Sequence, residues 1–530
     1  MMQYTACMGK LATENVLLES LLCGQWTAGG GKGTSLVDPT TGDVIAQASS
    51  AGLDLKQALA FARTVGRPAL GALTYAARAA MLGAIADVLA ARRDEWYAIA
   101  CRNSGNTRAD AMIDVDGGIG TLRYFSKVGA SLGEATLLAD GPAARLARDP
   151  SFQGLHIGVP ITGVAIHINA FNFPSWGLWE KAAVALLAGI PVLAKPATAT
   201  ALLAIDMVRA VDAAGILPAG ALSVLAGSVG DLLDHVRFGD AIAFTGSAET
   251  GDAIRMHARV RAEGVRVNVE ADSLNAALLG PDDAPGTPIF AAFVREVARE
   301  MTVKSGQKCT AIRRVLVPAA HAQAAISAIG AELDRIVVGN PALEGSGMGP
   351  VVSPTQRDGV QAGIRELETA ATVVYRRDIG APGDGAFVAP TLLFTGDANA
   401  AVIHACEVFG PVATVVPYRD ADDAFALARR GGGSLVASVF SADADFLLRA
   451  ASELGSAHGR VLLVDPSIAD SHTGHGVVLP SCLHGGPGRA GGGEELGGLR
   501  GLWFYHQRTA IQGPATVLAE LATRTATPAL

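Results

Sequence analysis

The sequence predicts an α/β chain: two successive units of mostly parallel sheet covered by helices. Three observations carry that prediction. Short apolar runs alternate with helical patterns of about 10–15 residues, the signature of βαβ units. Half of the 530 residues are hydrophobic and the mean hydropathy is +0.32, which suits sheets covered on both faces. A composition with 63 glycines and 25 prolines suits a large α/β chain better than a disordered or fibrous one.

The chain opens on an extended, turn-rich stretch ending at Asp38-Pro39-Thr40-Thr41-Gly42. Alanine-rich helical patterns follow from about Asp54 to Ala100, and a second helix-rich stretch runs to about Leu138. From His156 the texture changes. Val164–Ile168 reads as a buried strand, then comes a loop around Asn172 and a helix toward Leu187. Further strands are expected at Pro191–Ala194, Leu222–Leu225 and Ala241–Phe244, with a helix over Thr200–Ala214. A second α/β unit begins near Asp272, with a helix over Phe290–Val303 and strands at Arg314–Val317 and Ala437–Phe440. Gly380–Gly385 and Gly485–Gly493 read as structured turns, and no internal repeat is visible.

Bulk chemistry removes several function classes. With 42 Lys+Arg against 50 Asp+Glu, the formal net charge is -8, and no dense basic stripe offers a nucleic-acid surface. The six cysteines, Cys7, Cys23, Cys101, Cys309, Cys406 and Cys482, are too sparse for a disulfide scaffold and point to a reducing compartment. The amino terminus carries Glu14 and Glu19 and no basic-then-apolar pattern, so no signal peptide is expected. The apolar run between Lys181 and Lys195 is too short to span a bilayer and is broken by Gly189-Ile190-Pro191. A cytoplasmic enzyme without membrane or nucleic-acid partners is the expectation. The 11 histidines form no H-E-x-x-H or comparable cluster, so no metal site is predicted.

Four segments carry residues suited to chemistry. Cys309 follows a glycine turn in Ser305-Gly306-Gln307-Lys308-Cys309-Thr310; a neighbouring lysine that lowers its pKa makes it a nucleophile. Taken alone, it reads more commonly as a buried small hydrophobe. Glu270 ends the alternating run Val267-Asn268-Val269, at the strand end where α/β folds bind ligands, and suits a general base. A salt-bridged surface glutamate is the plainer alternative. Phe244-Thr245-Gly246-Ser247 through Gly251 is a strand end, a tight turn and a helix start whose N–H groups can face phosphate. Gly29-Gly30-Gly31-Lys32-Gly33-Thr34 lacks the Ser/Thr that a Walker loop needs after lysine, and reads as a loop.

In combination these segments resemble the aldehyde dehydrogenase superfamily across nearly the whole chain. Asn169-Ala170-Phe171-Asn172-Phe173-Pro174 resembles its P-W-N-F-P segment, Lys195-Pro196-Ala197 its K-P-A motif, and Gly306-Gln307-Lys308-Cys309 its G-Q-x-C motif. Glu407-Val408-Phe409-Gly410-Pro411-Val412 resembles E-x-F-G-P-V. The resemblance implies a Rossmann-like cofactor domain at 1–138 and 159–271, and a second α/β catalytic domain at 272–484. It assigns 139–158 and 485–530 to a small bridging sheet through which a homodimer forms. It also implies roles: Cys309 as nucleophile, Glu270 as general base and Asn172 as oxyanion donor. Lys195, Thr198, Phe244, Thr245, Gly246, Ser247, Glu407 and Phe409 would contact the nicotinamide cofactor.

Two departures and one segment refine this. Ala271-Asp272-Ser273 stands where the family has L-G-G, so the backbone must accept side chains there. Thr198 replaces the glutamate of K-P-A-E, which would repel a 2′-phosphate; its loss beside Lys195 predicts NADP as preferred cofactor, with NAD weaker. The segment His484-Gly485-Gly486-Pro487-Gly488-Arg489 through Glu495 resembles members that act on CoA-linked semialdehydes in aerobic aromatic ring cleavage. That resemblance implies 3,4-dehydroadipyl-CoA semialdehyde as substrate, with water rather than free CoA taking the acyl group.

Overall fold

The computed structural model describes residues 16–380, 383 and 385–528. The readings at Cys7 and Glu14, and at positions 381, 382 and 384 of the Gly380–Gly385 turn, lie outside the described residues.

Two large sheets form, as the alternation requires. Five strands of the first run parallel in the spatial order Leu222–Val224, Val192–Lys195, Ala165–Ile168, Ala241–Thr245, Arg266–Glu270. Numbered along the chain, that is 3-2-1-4-5, the doubly wound order of a dinucleotide-binding sheet. Val16–Leu22, Gln25–Ala28, Val44–Ala48 and Thr34–Val37 extend it to nine strands; Leu21 pairs with Val224. Gly29–Gly33 is the loop between two of these added strands, and a Cβ at Gly29 would sit 2.2 Å from the Ser49 carbonyl oxygen.

The second sheet has seven strands, ordered Thr372–Arg376, Thr391–Phe394, Val412–Tyr418, Arg314–Pro318, Ala276–Leu279, Ser434–Phe440, His458–Val464. All neighbours are parallel except the first pair. A third sheet of five strands combines Leu137–Ala139, Ala144–Arg145 and Phe152–Pro160 with His506–Pro514 and Thr525–Ala526 from the other end of the chain. No single described helix is long and apolar enough to cross a membrane.

Sequence explains where the helices start. Thr107 caps Arg108–Ala130 by a reciprocal capping box with Asp110. Asp54, Thr74, Ser247, Thr287 and Ser353 each accept from a backbone N–H of the first turn, satisfying donors a helix start leaves open. The helix expected over Phe290–Val303 spans Pro288–Thr302, and that over Thr200–Ala214 spans Ala201–Ala213. Packing among Tyr75–Ala90, Arg108–Ala130 and Trp176–Leu187 is close because small residues face large ones. A Cβ on Gly117 would meet the Trp176 ring at 2.3 Å, and one on Gly129 the Leu187 side chain at 2.6 Å.

Candidate active site

The nucleophile candidate hangs on a strained turn. After helix Pro288–Thr302 the chain passes through Lys304 (φ 52°), Ser305 (φ 55°) and Gly306 (φ 67°), the first two without glycine's freedom. Such residues cost roughly 1–3 kcal/mol each and persist only where surroundings over-determine them. Here they do. Lys304 N–H donates to Asp110 Oδ1 at 2.8 Å, and the Ser305 hydroxyl donates to the carbonyls of Gly349 and Pro350 at 2.8 and 3.1 Å. Arg313 gathers the carbonyls of Gly306, Lys308 and Gly410. Asn275 Nδ2 donates to the Cys309 carbonyl at 2.7 Å. Gly306 is required by space as well as by φ: a Cβ there would stand 2.2 Å from the Gly410 oxygen.

This turn presents Cys309 to a cavity also lined by Asn172, Thr245, Glu270 and His484. Burial, and then the facing Glu270 carboxylate, push the thiol pKa well above its ordinary value. That corrects the expectation at Lys308. Its ammonium does not lower the cysteine pKa; it turns away into a buried ion pair with both oxygens of Glu300, at 2.7 Å each. Adjacent residues in sequence point to different sides of the chain, and the buried Glu300 carboxylate claims the lysine.

Glu270 ends its strand 2% exposed, so the surface alternative does not hold. Its Oε2 lies 3.2 Å from His484 Nε2, and its Oε1 is buried without a hydrogen-bond partner. Cys309 Sγ, a Glu270 oxygen and a His484 ring nitrogen all fall within 4.8 Å of one another. Burial alone would raise the Glu270 carboxyl; His484, Lys181 and Cys309 together outweigh it and hold it low. In the sequence His484 stands only as part of a glycine-rich segment. Its role is invisible without the pairing of Leu483–Gly485 with Glu494–Leu496, which turns it inward.

Sequence reading also missed the charged layer behind the base. Lys181, on helix Trp176–Leu187, lies 2.9 Å from Glu180 Oε1 and 2.8 Å from Glu495 Oε2, all three side chains nearly buried. Burial opposes its charge, but Glu180, Glu495 and Glu270 more than compensate and keep it an ammonium well past neutral pH. Nothing in the apolar run that contains Lys181 announces this.

Of the cofactor candidates, Lys195, Phe244, Thr245, Gly246 and Ser247 lie at or just past the carboxyl ends of strands in the first sheet, where a doubly wound sheet opens a crevice. Gly246 N–H donates to the Glu270 carbonyl at 3.1 Å, and a Cβ at Gly246 would strike the Phe244 ring at 2.5 Å. Ser247 caps helix Ala248–Met256 and hydrogen-bonds Thr250. Lys195 ends its own strand, and burial lowers its pKa. Glu407 accepts from Ser273 N–H at 3.1 Å through one oxygen, while its other oxygen is buried without a hydrogen-bond partner, 3.9 Å from Arg313 Nε. Burial raises its pKa to about 7. Phe409 meets Phe171 edge-to-face, ring centroids 5.6 Å apart.

The departure at Ala271-Asp272-Ser273 is accommodated without left-handed backbone. Ala271 N–H donates to the Ala490 carbonyl, Asp272 accepts from Ala248 N–H, and the Ser273 hydroxyl donates to Asn275 Oδ1. The open acceptor on Glu407, the buried unpartnered Thr245 hydroxyl and the bare backbone at Gly246 fit a nicotinamide dinucleotide, which presents hydroxyls and a flat ring.

Fold and site together define a class: a thiol-bearing dehydrogenase on a doubly wound cofactor sheet. The pattern of the aldehyde dehydrogenase family matches residues 26–507, and the chain belongs to that family. It is 52% identical over 477 residues to the 3,4-dehydroadipyl-CoA semialdehyde dehydrogenase of Aromatoleum evansii, covering 89% of this chain and 93% of that one. Among solved structures, betaine aldehyde dehydrogenase of Staphylococcus aureus superposes with a TM-score of 0.83 at 23% identity, over 97% of this chain and 98% of that one. Lactaldehyde dehydrogenase of Escherichia coli superposes at 0.82 and 23%, over 94% and 99%. The fold is therefore the aldehyde dehydrogenase fold.

The NADP preference read at Thr198 is corrected. Four structures of the S. aureus enzyme hold NAD+, not NADP. The physical reason is local. Removing the family's glutamate removes a repulsion but supplies no phosphate site: the Thr198 hydroxyl donates to the Gly227 carbonyl at 3.0 Å, and burial makes Lys195 a weaker counter-ion.

Proposed function

We propose that this enzyme oxidises 3,4-dehydroadipyl-CoA semialdehyde to the corresponding acid with NAD, through a thioester on Cys309 that water hydrolyses. The convergence of Cys309, Glu270 and Asn172 on one cavity carries the chemistry. Identity to the A. evansii enzyme along nearly its full length carries the substrate.

The thiol rests protonated, so the reaction begins with its proton passing to Glu270 as sulfur attacks the aldehyde carbon. The Asn172 amide and the Cys309 backbone N–H hold the developing oxyanion. Glu407, Phe244, Thr245, Gly246, Phe409, Lys195, Thr198 and Ser247 are the residues that would hold the nicotinamide cofactor, which would supply the hydride acceptor. Glu270 releases the thiol's proton to solvent and, again a carboxylate, draws a proton from water; the resulting hydroxide adds to the thioester and expels the Cys309 thiolate. Retention of a glutamate at this position supports water over free CoA as acyl acceptor.

The nine-stranded sheet and its helices form the cofactor domain, the seven-stranded sheet the catalytic domain and the five-stranded sheet the bridge. Among the described residues the His506–Pro514 strand pairs on one side only, with Phe152–Pro160, and its open edge supports a homodimer. A cytoplasmic enzyme agrees with the free thiols of Cys23, Cys101, Cys309, Cys406 and Cys482.

NADH formation from 3,4-dehydroadipyl-CoA semialdehyde, beside simple aliphatic aldehydes, tests the substrate. Strong preference for the CoA-linked aldehyde is expected; equal turnover of simple aldehydes overturns it. Product analysis with and without added CoA tests the acceptor. A free acid is expected in both, and a second thioester in the presence of CoA would refute hydrolysis.

A further inference from the structure

We propose that Glu270 and His484 work as a dyad, in which the imidazole Nε2 receives the proton that Glu270 draws from the hydrolytic water. The inference rests on the thioester reading above and adds a positioning residue to it.

The geometry is built rather than incidental. Glu270 Oε2 and His484 Nε2 are 3.2 Å apart, and each side chain is 3% exposed. Glu270 Oε1, without a hydrogen-bond partner, is the oxygen left for water. His484 cannot drift. Its strand pairs with Glu494–Leu496, His484 opposite Glu495, and Gly485 lies so close to strand His458–Val464 that a Cβ on Gly459 would stand 1.7 Å from its oxygen.

The charges around the pair favour one more proton. Facing it are the carboxylates of Glu180 and Glu495, the ammonium of Lys181, the guanidinium of Arg460 and the thiol of Cys309. Glu180, Glu270 and Glu495 offer oxygens all within 4.8 Å of one another, and Lys181 is the cation seated among them. Burial lowers the imidazole pKa, but Glu270 and then Glu180 overcome it, and the net direction is upward despite Arg460. The carboxyl moves the opposite way. The neutral imidazole 3.2 Å from the carboxyl gives the water proton a second basic site to rest on.

The step balances. Water gives one proton to the Glu270 carboxylate as its oxygen bonds the thioester carbon, and that same proton then passes from the carboxyl to Nε2. The tetrahedral adduct collapses, the C–S bond breaks, the sulfur leaves with its electron pair and the acid departs. The imidazolium then releases its proton to solvent before the next turnover. Below the titration of the pair, His484 is already charged and the dyad has no vacancy, so deacylation slows as pH falls.

The test is the pH profile of steady-state turnover, with the pre-steady-state NADH burst, for wild type and His484→Asn. The acid limb of the wild type should lie above about 6.5, the ordinary histidine value. In His484→Asn a stoichiometric burst should persist, the plateau should fall at least about tenfold, and the limb should move to lower pH by about one unit or more. A persisting burst with unchanged limb and plateau overturns the dyad while leaving the thioester reading intact; no burst in the wild type removes the reading beneath it. Should His484→Asn not fold, histidine NMR titration of wild type and Glu270→Gln decides. The imidazole should titrate above 6.5 in the first and fall below it in the second, where burial acts without the carboxylate. No response to Glu270→Gln overturns the proposal.

Discussion

At Cys309 the thiol is made harder, not easier, to ionise by its surroundings, so its reactivity must come from the neighbour that takes its proton. Two substitutions separate the roles. Cys309→Ala should abolish the NADH burst and turnover together, and a residual burst in stopped-flow absorbance would refute the nucleophile. Glu270→Gln should leave a slower burst, faster again at high pH where the thiol ionises unaided, while steady-state turnover falls by about 10²–10⁴. A loss confined to the burst would contradict the deacylation role. Glu407 gives a pH prediction of its own. Its carboxyl is raised to about 7, and the ionised form is the better acceptor for ribose hydroxyls. The KM for NAD should therefore rise as pH falls through about 7, and Glu407→Gln should flatten that dependence; initial-rate kinetics across pH 6 to 8 read both.

At the scale of elements, the catalytic turn is held by contacts from distant parts of the chain. Asp110 serves two elements at once: Oδ2 completes the capping box of Arg108–Ala130, and Oδ1 receives Lys304 N–H. Gly306 is where this arrangement is most brittle. Gly306→Ala adds a methyl 2.2 Å from the Gly410 oxygen in left-handed backbone, and Gly410 neighbours the Glu407-to-Phe409 segment. It should lower the melting temperature and reduce the burst amplitude, and a variant with unchanged melting and full burst would show the turn to be less constrained. The elements themselves were readable. Leu222–Val224 and Arg314–Pro318 fall within a residue of their expected ends, because continuous β-branched and leucine runs between turns leave few alternatives. Strands Val412–Tyr418 and His458–Val464 were not anticipated. The first was absorbed into a motif, and the second opens with His-Gly-Arg, which gives no apolar pattern.

At the scale of the whole molecule, the five-stranded sheet joins residues 137–160 to 506–526 and, among the described residues, leaves the His506–Pro514 strand with one free edge. A row of open backbone donors and acceptors is a template for another strand. Sedimentation of the full chain should show a dimer at micromolar concentration, and a monomer there would exclude strand addition at this edge as a stable interface. Local sequence was enough to determine the α/β class, the strand-end position of Glu270 and the motif order that ties Asn172, Cys309 and Glu407 to one family, because periodicity and turn chemistry are short-range properties. The tertiary structure alone decided that Lys308 belongs to Glu300, that the Thr198 hydroxyl is tied to Gly227, and that Lys181, Glu495 and His484 stand behind the base. Those partners lie 8 to more than 200 residues apart, as Glu270 and His484 do, and a charge's pKa and partner are set by distance and burial, which sequence neighbours do not reveal.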